Sequence, residues 1–200
     1  MRTPSFLGAA AAVLLSVNIN AQSPATGTIN GHDYVDLGLS VKWTVCNIGA
    51  DKPEDYGDYF AWGEAETKLE YTEKNSATYD KDNFTFHDAA AEKWGGSWRM
   101  PTEVECQELI DNCIWKWISV DGYNGYMVTS EKNGNSIFLP AAGGYYNTQL
   151  YFTNESGSYN SSSPGENDRD NACVIGFHRG DHDVCWSARF RGVPIRPVTE

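Results

Sequence analysis

Basic residues are scarce in this chain, and their scarcity excludes one class of partner. The 200 residues include 15 Lys and Arg against 27 Asp and Glu, which gives a formal net charge of -12. The basic residues form no run, so the chain repels nucleic-acid phosphates and anionic lipid surfaces. We therefore expect no nucleic-acid partner.

Long apolar runs are also missing. The longest run, 6–17, is too short to anchor a chain across a bilayer. It follows Arg2 and is succeeded by Ile19-Asn20-Ala21, an order that is typical of a secretory signal peptide. We predict that residues 1–21 are this signal peptide and that the protein is exported to the periplasm, the cell surface or the medium. We expect no membrane insertion.

Common catalytic motifs are absent as well. The sequence has no Gly-x-Ser-x-Gly elbow and no phosphate-binding glycine loop. Carboxylates are so frequent that some pair must fall at glycosidase spacing by chance, so their presence decides nothing. We predict a protein that is not an enzyme and that has no cofactor.

Five cysteines leave at least one thiol unpaired. Cys106 and Cys113 are two helical turns apart, about 10 Å along a helix axis, which is too far for a disulfide. Cys173 and Cys185 can meet across a hairpin, and Cys46 can meet Cys113 from a neighbouring strand. The alternative is that most of these cysteines are small buried hydrophobic residues.

The clearest local signal is a capped helix that follows Trp98-Arg99-Met100-Pro101. Thr102 and Glu105 have the spacing of a reciprocal capping box. Apolar residues at 106, 109, 110 and 113 then form one stripe. We predict a helix that begins after Thr102, ends near Asn112 and builds the scaffold.

The other predicted elements are one short helix and several short strands. Asp88 caps a helix over 89–93, and Asn133-Gly134 is a hairpin signal. The predicted strands are 35–45, 114–120, 126–131, 136–139, 172–177, 183–188 and 193–198. This pattern predicts an α+β domain with one or two helices packed on short antiparallel strands.

Two stretches have the composition of connecting segments. Residues 22–30 are predicted to be a linker that precedes a single domain at 31–200. Residues 141–165 are rich in Gly, Ser, Asn and Tyr, which is also the composition of adaptable binding loops.

Several motifs in a fixed order resemble one family. Tyr34-Val35-Asp36-Leu37-Gly38-Leu39 and residues 56–64 look like its front half. Trp94-Gly95-Gly96-Ser97-Trp98-Arg99-Met100-Pro101-Thr102 looks like its central signature, and Arg196-Pro197-Val198 like its tail. The chain thus resembles the Fibrobacter succinogenes major paralogous domain over residues 31–198. That family is similar to the C-type lectin-like fold, shared with the variable proteins of diversity-generating retroelements. The resemblance implies a C-type lectin-like domain with long loops, whose last strands and loops form a ligand face.

The candidate ligand-binding residues come from those loops and from a hairpin near residue 180. Aromatic rings stack on sugars or pack on proteins, and arginines add positive charge to an acidic chain. We predict that a carbohydrate or protein ligand contacts Tyr145, Tyr146, Tyr159, Asn160, Arg169, Asp170, His178, Arg179, Asp181, His182, Asp183, Trp186 and Arg191.

Two polar clusters have side chains that bind metals. The hairpin at 178–185 combines His, Asp and Cys side chains suited to zinc, but His182 and Asp183 alternate to opposite faces of a strand. The run 166–171 is rich in oxygen ligands suited to calcium, but a solvated acidic loop is favoured. We predict no metal site.

These observations predict a secreted or surface-displayed, non-catalytic binding module. The alternative is a structural or assembly component of the bacterial envelope, whose acidic face packs against other exported proteins. A metal-assisted enzyme is the third hypothesis.

Overall fold

Antiparallel strands, most of them short, are the main regular structure of the described chain. The computed structural model describes residues 22–166 and 168–200, so the predicted signal peptide at 1–21 lies outside it. The helices are α1 (Ala89–Trp94), α2 (Glu103–Asp111) and one 3-10 helix (Glu73–Asn75). The strands are β1 (Gly27–Ile29), β2 (His32–Val35), β3 (Lys42–Thr44), β4 (Cys113–Val120), β5 (Tyr123–Ser130), β6 (Ser136–Pro140), β7 (Gly144–Tyr146), β8 (Gln149–Tyr151), β9 (Ser156–Gly165), β10 (Asp168–His178), β11 (Asp181–Ala188) and β12 (Val198–Thr199). The predicted α+β class is confirmed.

The strands assemble into antiparallel sheets with the orders β1-β2-β3-β12, β11-β10-β9, β4-β5-β6 and β7-β8. In the first sheet the end of the chain returns to its beginning, because Val198 of β12 pairs with Trp43 of β3. No helix within 22–166 and 168–200 is long and apolar enough to cross a membrane.

Helix α2 begins at the predicted capping box. The Glu105 amide donates to Thr102 Oγ1 at 3.3 Å, and the Thr102 amide donates to Glu105 Oε2 at 2.8 Å. Arg99 adds an ion pair to Glu105 at 2.6 Å. The C-cap is Asn112, where the helix was predicted to end. The short helix α1 is capped by Asp88, also as predicted.

The acid dependence of stability tests this cap. Burial by itself raises the pKa of Glu105, but the bonds from Arg99 and Thr102 outweigh it and hold the pKa below its usual value of 4.5. A carboxylate with a lowered folded-state pKa stabilises the fold above its unfolded pKa, and this contribution is lost as the pH falls through the folded pKa. We expect Glu105→Gln to lower the free energy of unfolding by about 1–2 kcal/mol at pH 7.

The measurement is urea denaturation between pH 7 and pH 3. The difference between the wild type and Glu105→Gln should shrink as the wild-type carboxyl becomes protonated. Glu103→Gln removes a charge from the same helical turn without breaking the box, and serves as the control. A difference that stays constant down to pH 3 would contradict the assignment.

Helix α2 packs on a core shared by three sheets. Cys106 and Leu109 of α2 are fully buried. They join a cluster whose strand members include Val35, Trp43, Val128, Ile137, Tyr159, Ile175, Phe177 and Val198. A second cluster contains Ile48, Phe60, Trp62, Ala89, Ala90, Met100, Ala172 and Ile195. The inner face of the sheet β11-β10-β9 packs in the first cluster through Tyr159, Ile175 and Phe177.

Two predictions for the front of the chain need correction. The predicted strand at 35–45 is divided, since β2 ends at Val35 and β3 begins at Lys42. Gly38 lies between them at φ 69° and turns the chain, while the alternating apolar residues still point into the core. The predicted linker contributes strand β1, whose Thr28 pairs with Asp33 of β2.

Two predictions for the back half also need correction. The end of the predicted loop 141–165 forms β9, a strand of ten residues that is central to the core despite its Ser- and Gly-rich composition. Of the predicted strand 193–198, only Val198 lies in a named strand. Pro194 and Pro197 have no amide hydrogen and cannot extend a ladder.

All five cysteines have free thiols: Cys46, Cys106, Cys113, Cys173 and Cys185. In the hairpin β10–β11, Cys173 pairs with Trp186 and Cys185 with Val174, so these two cysteines do not face each other. The possible Cys46–Cys113 disulfide does not form either. Burial raises the pKa of Cys173 to about 11 and that of Cys113 to about 12. Cys106 and Cys173 are buried, Cys46 and Cys113 are partly buried and Cys185 is exposed, so two of the five thiols fit the alternative of small buried residues.

Candidate functional site

The sheet of β9, β10 and β11 has two different faces. Tyr159, Ile175 and Phe177 point into the core. Ser158 of β9 pairs with Gly176 of β10, and both lie on the opposite face because successive side chains alternate along a strand. Part of this outer face is open.

A groove of about 260 Å³ lies between the outer face and the hairpin β7–β8. Its lining consists of four glycines, three serines and five further residues: Gly143, Gly144, Gly157, Gly176, Ser156, Ser158, Ser187, Phe152, Val174, Cys185, Trp186 and Arg191. It is termed the glycine groove below.

The glycines are required by close approaches. Gly143 has φ 64°, and a Cβ there would overlap the carbonyl oxygen of Tyr151. A Cβ on Gly176 would overlap the Cys185 sulfur. A larger residue at Gly143 would displace the backbone that follows β8, and one at Gly176 would displace the Cys185 side chain, so both glycines help to shape the groove.

Two polar atoms of the lining residues have unmet hydrogen-bonding capacity. Ser187 Oγ and Arg191 Nε are buried and have no hydrogen-bond partner in the described part of the chain. A buried polar atom without a partner costs about 1–3 kcal/mol. Such atoms call for an explanation, and a ligand that supplies the missing partner is one.

Arg191 differs in this respect from Arg169 and Arg189. Arg169 pairs with Asp80 and Asp82 at 3.1 and 2.7 Å. Arg189 donates to backbone carbonyls, including that of Asp168 at 2.9 Å, and stacks on Trp62. No carboxylate between residues 22–166 or 168–200 forms an ion pair with Arg191.

The groove has an uneven distribution of charge. Asp183, which is not one of the lining residues, pairs with Gly176 near the β10–β11 turn, at one end of β11. Arg191 follows β11 at the other end, where its amide donates to Ala188 O at 3.0 Å. Burial raises the pKa of the Cys185 thiol between them, and Asp183 raises it further. The thiol therefore stays neutral near pH 7.

Two predicted ligand contacts, Tyr159 and Asn160, are buried and need correction. Tyr159 donates from its hydroxyl to Pro140 O at 2.7 Å. Asn160 donates from Nδ2 to Phe60 O at 3.0 Å. Both residues belong to β9, whose Ser- and Gly-rich composition is typical of a loop. Their polar groups form hydrogen bonds inside the protein.

The β10–β11 hairpin does not gather its polar side chains at one point. His178, Arg179 and Asp181 are exposed around the tip, where His178 Nε2 lies 3.7 Å from Asp181. His182 stacks on Trp115 with ring centroids 4.7 Å apart, and burial lowers its pKa. Asp183 is exposed on the alternate face.

The remaining predicted residues lie in three places. Tyr145 is half-buried against Tyr59, with centroids 5.0 Å apart, whereas Tyr146 is exposed. Asp170 accepts the Arg189 amide through its carbonyl at 2.8 Å. Trp186 and Arg191 are the two predicted residues that line the glycine groove.

The described residues contain no group of three His, Cys, Asp or Glu that could hold a metal ion. In the run considered for calcium, Asn167 lies outside the described residues. The Asp168 carboxylate accepts from the amide of Asp170 at 2.8 Å and from Asn171 Nδ2 at 2.7 Å. These bonds, chiefly that from Asn171, lower the pKa of Asp168.

Sequence reasoning missed most of the groove. Ser158, Ser187 and Phe152 were not among the predicted contacts, and Cys185 was considered only for a disulfide or a metal. The available signal was glycine within strands, as at Gly176, which indicates a bulge or a close approach. Comparison with protein-family models, with curated proteins and with solved structures gives no match.

Proposed function

We propose that this protein is an exported, non-catalytic ligand-binding module of the C-type lectin-like class and a member of the major paralogous domain family. The glycine groove is its binding site, and the ligand is a carbohydrate or a protein. The observation that carries the proposal is a concave surface lined by two residues with unpartnered polar atoms, Ser187 and Arg191.

The chemistry of the lining supports binding. Serine hydroxyls and an arginine are groups that hold and orient a ligand. Phe152, at 58% exposure, offers an apolar ring beside them. The exposed ring of Tyr151 lies 6.1 Å from that of Phe152 and extends the apolar surface available to a larger ligand.

The family motifs support the class of protein. The capped helix α2 and the return of the chain end to β3 leave the last strands to present a surface. In proteins that the sequence resembles, that part of the fold is the ligand face. The groove lies on strands β9, β10 and β11, which agrees with that expectation.

Filling the groove tests the proposal. Ser158 faces it from β9, and Ser158→Phe should occupy the space that a ligand needs. Ser119→Phe is the matched control, since Ser119 is exposed on β4 and outside the groove. We expect wild type and Ser119→Phe to bind the same ligands on a glycan array or in a panel of surface proteins. Ser158→Phe should bind them at least about tenfold more weakly, a loss of about 1.4 kcal/mol. Equal binding by all three proteins would contradict the site.

A further inference from the structure

Resting on the proposed function, we infer that the glycine groove binds a saccharide that carries a carboxylate, with Arg191 and Ser187 holding the carboxylate group.

Arg191 supplies a positive charge to the lining of the groove. Arg191 lines the groove in a chain with a net charge of -12, and no carboxylate of the described residues forms an ion pair with it. Arg169 forms an ion pair with Asp82, and Arg189 donates to three backbone carbonyls, so the hydrogen-bond donors of both are used within the protein. Arg191 Nε has no hydrogen-bond partner among the described residues, so it can donate to the anionic group of a ligand.

The donors of Arg191 and Ser187 suit a carboxylate. A guanidinium presents parallel N–H donors that match the two oxygens of a carboxylate. Ser187 adds a hydroxyl from β11, shortly before Arg191 in the sequence. Asp183 is not a lining residue, but it pairs with Gly176, which is, and would repel a second negative charge beside that glycine. A ligand with one anionic end and a neutral remainder fits this distribution.

The rest of the lining suits the uncharged part of a sugar. Ser156 and Ser158 offer hydroxyls that exchange hydrogen bonds with sugar hydroxyls. The exposed ring of Phe152 at the rim can cover the apolar face of a sugar ring. A volume of about 260 Å³ is small for an extended peptide, whereas binding pockets for larger ligands span about 300–1,000 Å³. A single acidic sugar unit is therefore favoured over an acidic peptide.

The test compares three sugars and one peptide by ligand-detected NMR titration of the full chain. The sugars are sodium D-glucuronate, its neutral methyl ester and D-glucose, and the peptide is N-acetyl-Gly-Glu-Gly-amide. A charge-assisted hydrogen bond contributes about 1.5–3 kcal/mol. We therefore expect glucuronate to bind about tenfold or more tightly than the ester, the glucose or the peptide.

Two variants locate the anion. Arg191→Gln should reduce glucuronate binding to the level of D-glucose, while Arg179→Gln, which removes an equal charge at the exposed hairpin tip, should bind as the wild type does. Ser187→Ala should weaken glucuronate binding severalfold and leave glucose unchanged, and it provides a second reading should Arg191→Gln fail to fold.

The failures can be told apart. Equal binding of glucuronate, ester and glucose, abolished by Ser158→Phe, would overturn the carboxylate assignment and leave the proposed function in place. Preference for the peptide would overturn the saccharide assignment. Glucuronate binding that survives both Ser158→Phe and Arg191→Gln would overturn the groove as the site, and with it the proposed function.

Discussion

Replacing Arg196 by Leu should destabilise the protein by about 3–5 kcal/mol, because it removes a buried group whose partners remain. Arg196 is 1% exposed. Its guanidinium donates to Asn47 Oδ1 at 2.8 Å, Thr44 O at 3.1 Å and Phe138 O at 3.0 Å. Leucine leaves these acceptors buried and unpaired, and a loss of this size is a large fraction of the stability of a small domain.

Guanidinium denaturation followed by tryptophan fluorescence measures this loss. Arg179→Leu makes the same chemical change at the exposed tip of the β10–β11 hairpin and should alter the free energy of unfolding by less than about 0.5 kcal/mol. Burial lowers the pKa of Arg196, but arginine remains protonated across the accessible pH range. The loss should therefore be the same at pH 6 and pH 8. An Arg196→Leu protein as stable as wild type would contradict the structural role given to this arginine.

Leu109→Ala should cost about 2–5 kcal/mol, the range for a buried leucine whose removal leaves a cavity. Leu109 is fully buried in the core that α2 shares with β5, β6, β9 and β10. Its loss would loosen the support beneath the sheet β11-β10-β9, which carries the groove on its other face. Thermal and urea denaturation would both report the change.

Val104 provides the control on the same helix. It is 77% exposed, so Val104→Ala removes little packing and favours the helix slightly. We expect its free energy of unfolding to stay within about 0.5 kcal/mol of the wild type. Similar losses for both variants would mean that α2 does not pack as described.

Elements defined by local chemistry were predictable from the sequence. The box between Thr102 and Glu105 and the cap at Asp88 satisfy amides within one helical turn, so their residues are neighbours in the sequence. The Asn133-Gly134 hairpin is equally local, and β5 and β6 flank it as predicted. These features rest mainly on contacts between residues that are close in the sequence.

Elements fixed by distant partners were not predictable. Strand β9 has the composition of a loop, and only pairing with β10 and the packing of Tyr159 make it a core strand. Arg196 was recognised as part of a terminal motif, but its acceptors lie some 60 to 150 positions earlier in the chain. No local pattern in the sequence marks such pairs.

The candidate site was predictable only in part, for the same reason. Tyr159 and Asn160 match the composition of binding loops, yet their polar groups bond to the interior. Trp186 and Arg191 were predicted and do line the groove. The residues that give the groove its shape come from separate segments, and their proximity follows from the register of β9, β10 and β11.

Amide chemical-shift mapping tests the central claim most directly. Sodium D-glucuronate would be titrated into the uniformly ¹⁵N-labelled protein, and shifts followed residue by residue. We predict that the largest perturbations occur at Ser158, Gly176, Ser187 and Arg191, while Ser119, which is exposed on β4 and does not line the groove, stays unchanged. Perturbations confined to residues outside the glycine groove, or none at saturating sugar, would contradict the account.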